Sequence, residues 1–324
     1  MQVEDIYNAI IKDEEEKQEF YRWLGASLIG HECTRYIFLK FICAFNENFT
    51  GRILRVFRNG HEAEPRIGAD LKLAGCEIFD EQLEIDAPFC KGHAGSTIDG
   101  KIKMPDGEVL LLEYKTAKST AFKKYQKEPI KISNPRYYYQ VQINMHLTGL
   151  KKAMWIVENK DTNELHIEYI DYDHQDACSK LSLMHKIVNE GFTGEKCSEN
   201  PDYFQCKWCS ANSICHGKKT PRMHCLTCCH SIAIEDGKFR CMLYQTEIPN
   251  EFLSKGCPEH VFHPATINLN MVDTGEYWVS YRLPTGELIC NCSAKSFPKV
   301  DTSIDYKEIL DSSEMVKRGY LYEN

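Results

Sequence analysis

Four consecutive apolar residues run straight into a charged pair in "VLLLEYKTAK", Val109 to Lys118. An unbroken apolar run of this length marks a strand covered on both faces, so a sheet has to be built around it. Residues two apart on a strand point the same way, which puts Glu113 and Lys115 side by side on one face. Burying an unpaired carboxylate and ammonium is costly, so the pair either neutralises itself or holds something.

The neighbouring sequence supplies the sheet. "EIFDEQLEIDAPF", "GSTIDGKIKM" and "GEVLLLEYKT" are three successive strand candidates, with "MPDGE" as the tight turn between the last two. Ahead of them, residues 1–30 read as an amphipathic helix and a turn, 33–48 as a second helix, and 51–75 as a third with Gly75 as its stop. Behind them, "PRYYYQVQINMHLTGL" predicts a helix ending at Gly149. "KKAMWIVENK" and "ELHIEYIDYD" predict a strand pair, and residues 173–190 a further helix. This order suits an α/β or α+β domain with a mixed central sheet.

The chain has 324 residues, enough for one large core and an appendage. Its net charge of −8 argues against a wholly basic nucleic-acid binder. The charge is uneven, however. Lys115, Lys118, Lys123, Lys124, Lys127, Lys131 and Arg136 face a single acid, Glu128, in the segment after the strand. Such a run is either a solvated face or a phosphate-facing patch. No run of eighteen apolar residues occurs, and the acidic, amphipathic start resembles neither a signal peptide nor a membrane span. Sixteen cysteines in such a chain point to a reducing compartment, the cytoplasm, and to metal or iron–sulfur ligation over disulfides.

Asp99 ends the strand "STIDGKI", across the "MPDGE" turn from Glu113 and Lys115. Two carboxylates and an ammonium gathered in this way can share a divalent cation such as Mg²⁺ or Mn²⁺ and position a water for phosphodiester hydrolysis. A plain cross-strand ion pair is the competing reading.

The pattern of Asp99, Glu113 and Lys115 resembles the D…ExK signature of the PD-(D/E)XK nucleases, in particular their RecB-like and lambda-exonuclease-like branches. The resemblance implies a restriction-endonuclease-like α/β fold with a mixed central sheet flanked by helices. It also implies a helical Glu four residues after a Gly, which "RNGHEAEP" supplies as Glu64 after Gly60, with Glu62 as the alternative. Tyr114 would lend its carbonyl to the metal. The branch carries a Gln on the helix after the ExK strand, often as Q-x3-Y. Here Gln140 and Gln142 are the candidates, with Asn144 and His146 in the tyrosine positions. His93, shortly before Asp99, resembles a histidine near the site in some relatives; a buried structural role is the alternative. Tyr137, Tyr138 and Tyr139 are either base-stacking residues or core aromatics.

The cysteines carry a second resemblance. Eight of the sixteen fall between Cys206 and Cys257. Cys206-x2-Cys209-x5-Cys215 is similar to the triplet that follows the core in RecB-like proteins bearing a [4Fe–4S] cluster, whose fourth ligand lies upstream, at Cys33 here. A cluster at these four thiolates would staple distant parts of the chain together. Zinc-ribbon spacing through Cys206, Cys209, Cys225 and Cys228 is the rival assignment. With the cluster in place, Cys225, Cys228, Cys241 and Cys257 remain as a structural Zn²⁺ set, with Cys229, His230 and His260 as substitutes. Cys43, Cys76, Cys90 and Cys178 read as buried thiols.

The motif order resembles bacteriophage-encoded nucleases of this superfamily. It implies a metal-dependent DNA exonuclease serving phage recombination, repair or processing, with an endonuclease or a non-catalytic DNA-binding scaffold as alternatives. The expected partners are DNA and a recombination protein such as a single-strand annealing protein. The expected organisation is a nuclease domain over 1–217, a cysteine-rich metal-binding module over 218–264, and a β-hairpin with a polar tail over 265–324.

Overall fold

The structure, a computed structural model, describes residues 1–17, 20 and 23–320. Contacts divide the chain into two compact units, Met1–Glu32 with Asn48–Lys186, and Cys33–Glu47 with Ile187–Asn324.

In the first unit, α1 (Val3–Lys17), β1 (Leu24–Gly25) and α2 (Ala26–Ile29) stand where the sequence predicts one helix and a turn. Residues 18, 19, 21 and 22 of that prediction lie outside the described residues. Next in the chain, α3 (Thr34–Phe41) is shorter than the predicted 33–48 and belongs to the second unit. In α4 (Gly51–Leu73), the Thr50 hydroxyl caps the first turn by accepting from the Ile53 N–H, and Gly75 at φ +90° ends the run. Then come β2 (Glu77–Phe79), β3 (Glu84–Asp86), β4 (Ala94–Thr97), β5 (Gly100–Lys103) and β6 (Val109–Ala117). The basic segment forms α5 (Ser119–Tyr125) and α6 (Ile130–Ser133). After it come α7 (Pro135–Thr148), β7 (Lys152–Asn159), β8 (Leu165–Asp171) and α8 (His174–Asn189).

Five strands make a mixed sheet in the order β2-β5-β6-β7-β8, with β6 and β7 parallel and the other pairs antiparallel. Its central strand is β6, as the apolar run requires. Strand alternation sends Leu110, Leu112 and Tyr114 into a core with Ala63, Ile67 and Leu71 of α4, while Leu111 and Ala117 join Phe122, Tyr138, Val141 and Trp155 on the other face. The two predicted strands before β6 are each broken. Of their four pieces, β4 pairs with both β1 and β3 in a separate small sheet, whereas β2 and β5 enter the main one. The break between β4 and β5 falls at Ile98–Asp99.

In the second unit, α9 (Phe204–Lys207) and α10 (Asn212–Cys215) hold the first cysteine triplet. An antiparallel sheet of β9 (Ser231–Ala233), β10 (Phe239–Cys241) and β11 (Thr246–Ile248) follows, then α11 (Asn250–Leu253). The predicted hairpin is present as β13 (Trp278–Arg282) and β14 (Leu288–Cys292), flanked by β12 (Asn270–Gly275) and β15 (Glu308–Leu310). The tail is not merely polar, as the sequence suggests. β15 pairs in parallel with β14, and α12 (Ser312–Lys317) adds Met315 to a core containing Val261, Phe262, Tyr281 and Ile289. Residues 321–324 lie outside the described part.

Candidate active site

The antiparallel register pairs Gly100 with Leu112, so Asp99 at the sheet break comes up beside Glu113 and Tyr114. Asp99 Oδ2 accepts the Tyr114 backbone N–H at 2.7 Å, which fixes the carboxylate against the strand. Glu113 is completely buried. Its Oε1 accepts from the Lys115 ammonium and, at 2.7 Å, from the Gln140 amide, while Oε2 accepts from Asn144 at 3.5 Å. The Lys115 Nζ also donates to the Tyr114 carbonyl at 2.9 Å and stands 4.0 Å from Asp99 Oδ2. One cation thus sits among three oxygens, Glu113 Oε1, Tyr114 O and Asp99 Oδ2. Hard oxygen donors gathered round one positive charge are the set that Mg²⁺ or Mn²⁺ takes, so these residues fit a divalent ion.

The electrostatics agree with that fit. Burial, then the nearby Asp99 charge, pushes Glu113 up to about 7, against the pull of Lys115. Burial pushes Lys115 down, but the Glu113 and Asp99 carboxylates outweigh it and hold the ammonium above its usual range.

Glu64 comes from the edge of the buried face of α4, whose Ala63, Ile67 and Gly68 are turned inward. Burial and the Asp99 charge raise it, while His61 and Lys115 draw it down, so Glu64 lies within electrostatic reach of the site. Its oxygens meet Gln82 at 3.2 Å and His61 at 3.6 Å. Glu62 is exposed. Gln140 meets Glu113 as described. Gln142 instead ties α7 to the segment after β8, donating to Asp171 O at 2.9 Å and accepting from Asp173 N at 2.8 Å. Asn144 and Gln82 were not predicted as partners; the amide one turn beyond Gln140 was the only signal for the former, and the latter has none.

His93 is wholly buried just before β4, with its carbonyl accepting from Leu24 N at 2.8 Å. Tyr138 is buried in the core, and Tyr137 packs partly buried with its ring 5.4 Å from the Lys115 ammonium. Lys118, Lys123, Lys124, Lys127, Lys131 and Arg136 are all exposed along α5, α6 and the start of α7. Three of them are engaged: Lys124 with Ser133 O, Lys131 with Asp176, and Arg136 with Ser27 O.

The second unit gathers nine of its thirteen cysteines into two groups. Cys33, at the start of α3, is felt electrostatically by Cys209 and Cys215, and Cys206 by Cys209. Cys197, which the sequence reading left out, joins them with its sulfur 3.6 Å from that of Cys206. Five thiols in one neighbourhood fit a thiolate-bound metal or cluster. In the second group, Cys225, Cys228, Cys241 and Cys257 line one cavity together with His230 and His260. Burial, then the Cys228, Cys257 and Cys241 thiols, pushes Cys225 up to about 12. Among the described residues His230 Nε2 and His260 Nδ1, buried there, have no hydrogen-bond partner, and such orphaned ring nitrogens beside four thiols fit a zinc ion.

Residues 81–151 match the family described as YqaJ-like viral recombinase domain. Among solved structures, the chain is similar to an alkaline exonuclease, LHK-Exo, from Laribacter hongkongensis, at 17% identity over 58% of this chain and 92% of that one, with a TM-score of 0.41. The same enzyme in complex with dAMP gives the same values. A protein called SSO0001 matches at 15% identity over 67% of this chain and 97% of its own, again with a TM-score of 0.41. Curated protein sequences gave no match.

Proposed function

We propose that the chain, whose residues 81–151 match a YqaJ-like viral recombinase domain, is a lambda-exonuclease-like enzyme of the PD-(D/E)XK superfamily, a metal-dependent DNA exonuclease of a phage recombination or processing system. The observation that carries this reading is the convergence of Glu113 Oε1, Tyr114 O and Asp99 Oδ2 on one cation. Glu64, Asp99, Glu113 and the Tyr114 carbonyl would hold one or two Mg²⁺ or Mn²⁺ ions. A bound ion supplies the positive charge that stabilises the phosphoryl oxygens during in-line displacement.

Lys115 stays an ammonium at neutral pH because two carboxylates favour its charged form. It positions or activates the attacking water and offsets developing charge. Gln140 and Asn144 hold Glu113 in the rotamer that faces the ion. The exposed lysines of α5 and α6 follow the DNA backbone. Tyr137 is the one tyrosine of the three that stands at the acid site. A [4Fe–4S] cluster at Cys33, Cys206, Cys209 and Cys215 and a zinc ion at Cys225, Cys228, Cys241 and Cys257 would be structural, and the protein would work in the host cytoplasm. No helix among the described residues is long and apolar enough to cross a membrane.

The test is degradation of end-labelled linear and closed circular DNA in Mg²⁺, Mn²⁺ or EDTA, with wild type and Lys115→Ala. Metal-dependent loss of the linear DNA alone is expected, falling at least about 100-fold in the folded variant. A fully active Lys115→Ala protein removes the site assignment, and cutting of circles makes the enzyme an endonuclease.

A further inference from the structure

The end of α7 and the start of α8 bring together three side chains that the acid site does not use. His146 lies in the last turn of α7, His174 opens α8, and Cys178 follows one turn on, on the same helix face. One ligand atom from each lies within 4.8 Å of the other two. The sequence reading placed Cys178 among the buried apolar thiols. It is instead half-buried, with its sulfur 3.6 Å and 3.5 Å from the two ring nitrogens of His174.

We infer that His146, His174 and Cys178 form a binding site for a transition-metal cation of the zinc class, separate from the oxygen-donor acid site. Two imidazoles and a thiol are the donor set that selects Zn²⁺, Co²⁺ or Ni²⁺ over Mg²⁺. Three protein ligands leave a fourth position for water. The Tyr172 hydroxyl lies 2.7 Å from His146 Nδ1 and 3.1 Å from His174 Nδ1, where it can accept an N–H from both rings. With Nδ1 protonated on each ring, the Nε2 lone pairs are left for a metal, as second partners of histidine ligands commonly arrange. The Lys151 ammonium, 4.5 Å from the Tyr172 ring, opposes a cation here and limits its affinity.

The location gives the site a consequence. Gln142 already clamps α7 to Asp171 and Asp173 with two hydrogen bonds. A metal across His146, His174 and Cys178 continues that clamp one turn further along α7. The same helix presents Gln140 and Asn144 to Glu113, so an occupied site stiffens the element that holds the buried carboxylate.

The test uses the full chain and zinc ion itself, with alkylation of individual cysteines followed by peptide mass spectrometry. Zinc added beyond what the Cys225, Cys228, Cys241 and Cys257 set and the first cysteine group take up should slow iodoacetamide labelling of Cys178 at least tenfold, Mg²⁺ should not, and His174→Ala should abolish the protection. The readout is specific to Cys178, so metal held by other cysteines does not enter it, and the wild-type comparison does not depend on any variant folding. Labelling of Cys178 that is unchanged by zinc overturns the site, as does protection that persists in His174→Ala.

Discussion

The Glu113 carboxyl sets a pH dependence that can be measured without DNA. Its folded-state value of about 7 stands above the ordinary 4.5, because burial and Asp99 disfavour the charged form. The folded protein therefore binds this proton more tightly than the unfolded chain. The resulting stability is fully present below about 4.5 and is lost as the pH rises through about 7. At roughly 1.4 kcal/mol for each tenfold change in proton affinity, the loss is up to about 3 kcal/mol. Buried histidines tilt the total the other way. Burial holds His224 and His263 down at about 4, so they add stability as the pH rises toward 6.5. Glu113→Gln isolates the carboxyl, since it keeps the shape and has nothing to titrate, while the loss of the Lys115 partner is a constant offset across this range. Urea unfolding in EDTA at pH 5, 6, 7 and 8 should show the wild type losing up to about 3 kcal/mol relative to Glu113→Gln. Added Mn²⁺ should flatten the wild-type slope, because a bound cation replaces the proton in neutralising Glu113. A difference between the two proteins that stays constant from pH 5 to 8 would refute the reasoning.

Gln140→Ala removes the 2.7 Å hydrogen bond to the buried carboxylate and should cost about 1–3 kcal/mol in stability and slow cleavage, with Asn144→Ala, whose contact is 3.5 Å, costing less in the same unfolding and rate assays. Glu158 in β7 is 3% exposed and meets Arg66 of α4 at 2.9 Å, so Arg66→Ala should destabilise by about 1–3 kcal/mol, the half-exposed arginine lessening the cost, and a further Glu158→Gln should recover part of it in thermal unfolding. Gly194 sits at φ +71° with Thr34 backbone atoms 2.3 Å from where a Cβ would stand, so Gly194→Ala should disrupt the second unit by more than about 3 kcal/mol, read as accelerated proteolysis after residue 187.

The strand "VLLLEYKTAK" disclosed the central sheet because continuous apolar burial leaves a one-dimensional trace. The helix over 51–75 and the helix ending at Gly149 were legible for the same kind of reason, a helical period followed by a glycine stop. The breaks within the first two strand candidates were not. β2 and β3 share one strand candidate, and so do β4 and β5; which piece joins which sheet is decided by pairing with β1 and β6, and that pairing is a contact between distant parts of the chain. The tail was read as polar because its apolar residues are sparse. Leu310 and Met315 are nonetheless core residues, since a single buried face needs few of them.

The candidate site divides along the same line. Asp99, Glu113 and Lys115 could be placed together from sequence because a tight turn fixes the register of the two strands that carry them. Gln82 facing Glu64, Cys197 facing Cys206, and the meeting of His146 with His174 and Cys178 depend on how separate elements cross, and no spacing in the sequence encodes a crossing. Asn144 is the instructive intermediate. It stands where the resembling family carries a tyrosine, which reads as a defect on the sequence alone. In the structure its amide reaches Glu113 Oε2, so Gln140 and Asn144, four residues apart on one face of α7, each take one oxygen of the same carboxylate. A tyrosine could offer one hydroxyl donor, and an amide offers two N–H donors from a shorter side chain. The substitution thus keeps both oxygens of a wholly buried carboxylate bonded, and it does so from a position that only the packing of α7 on β6 could reveal.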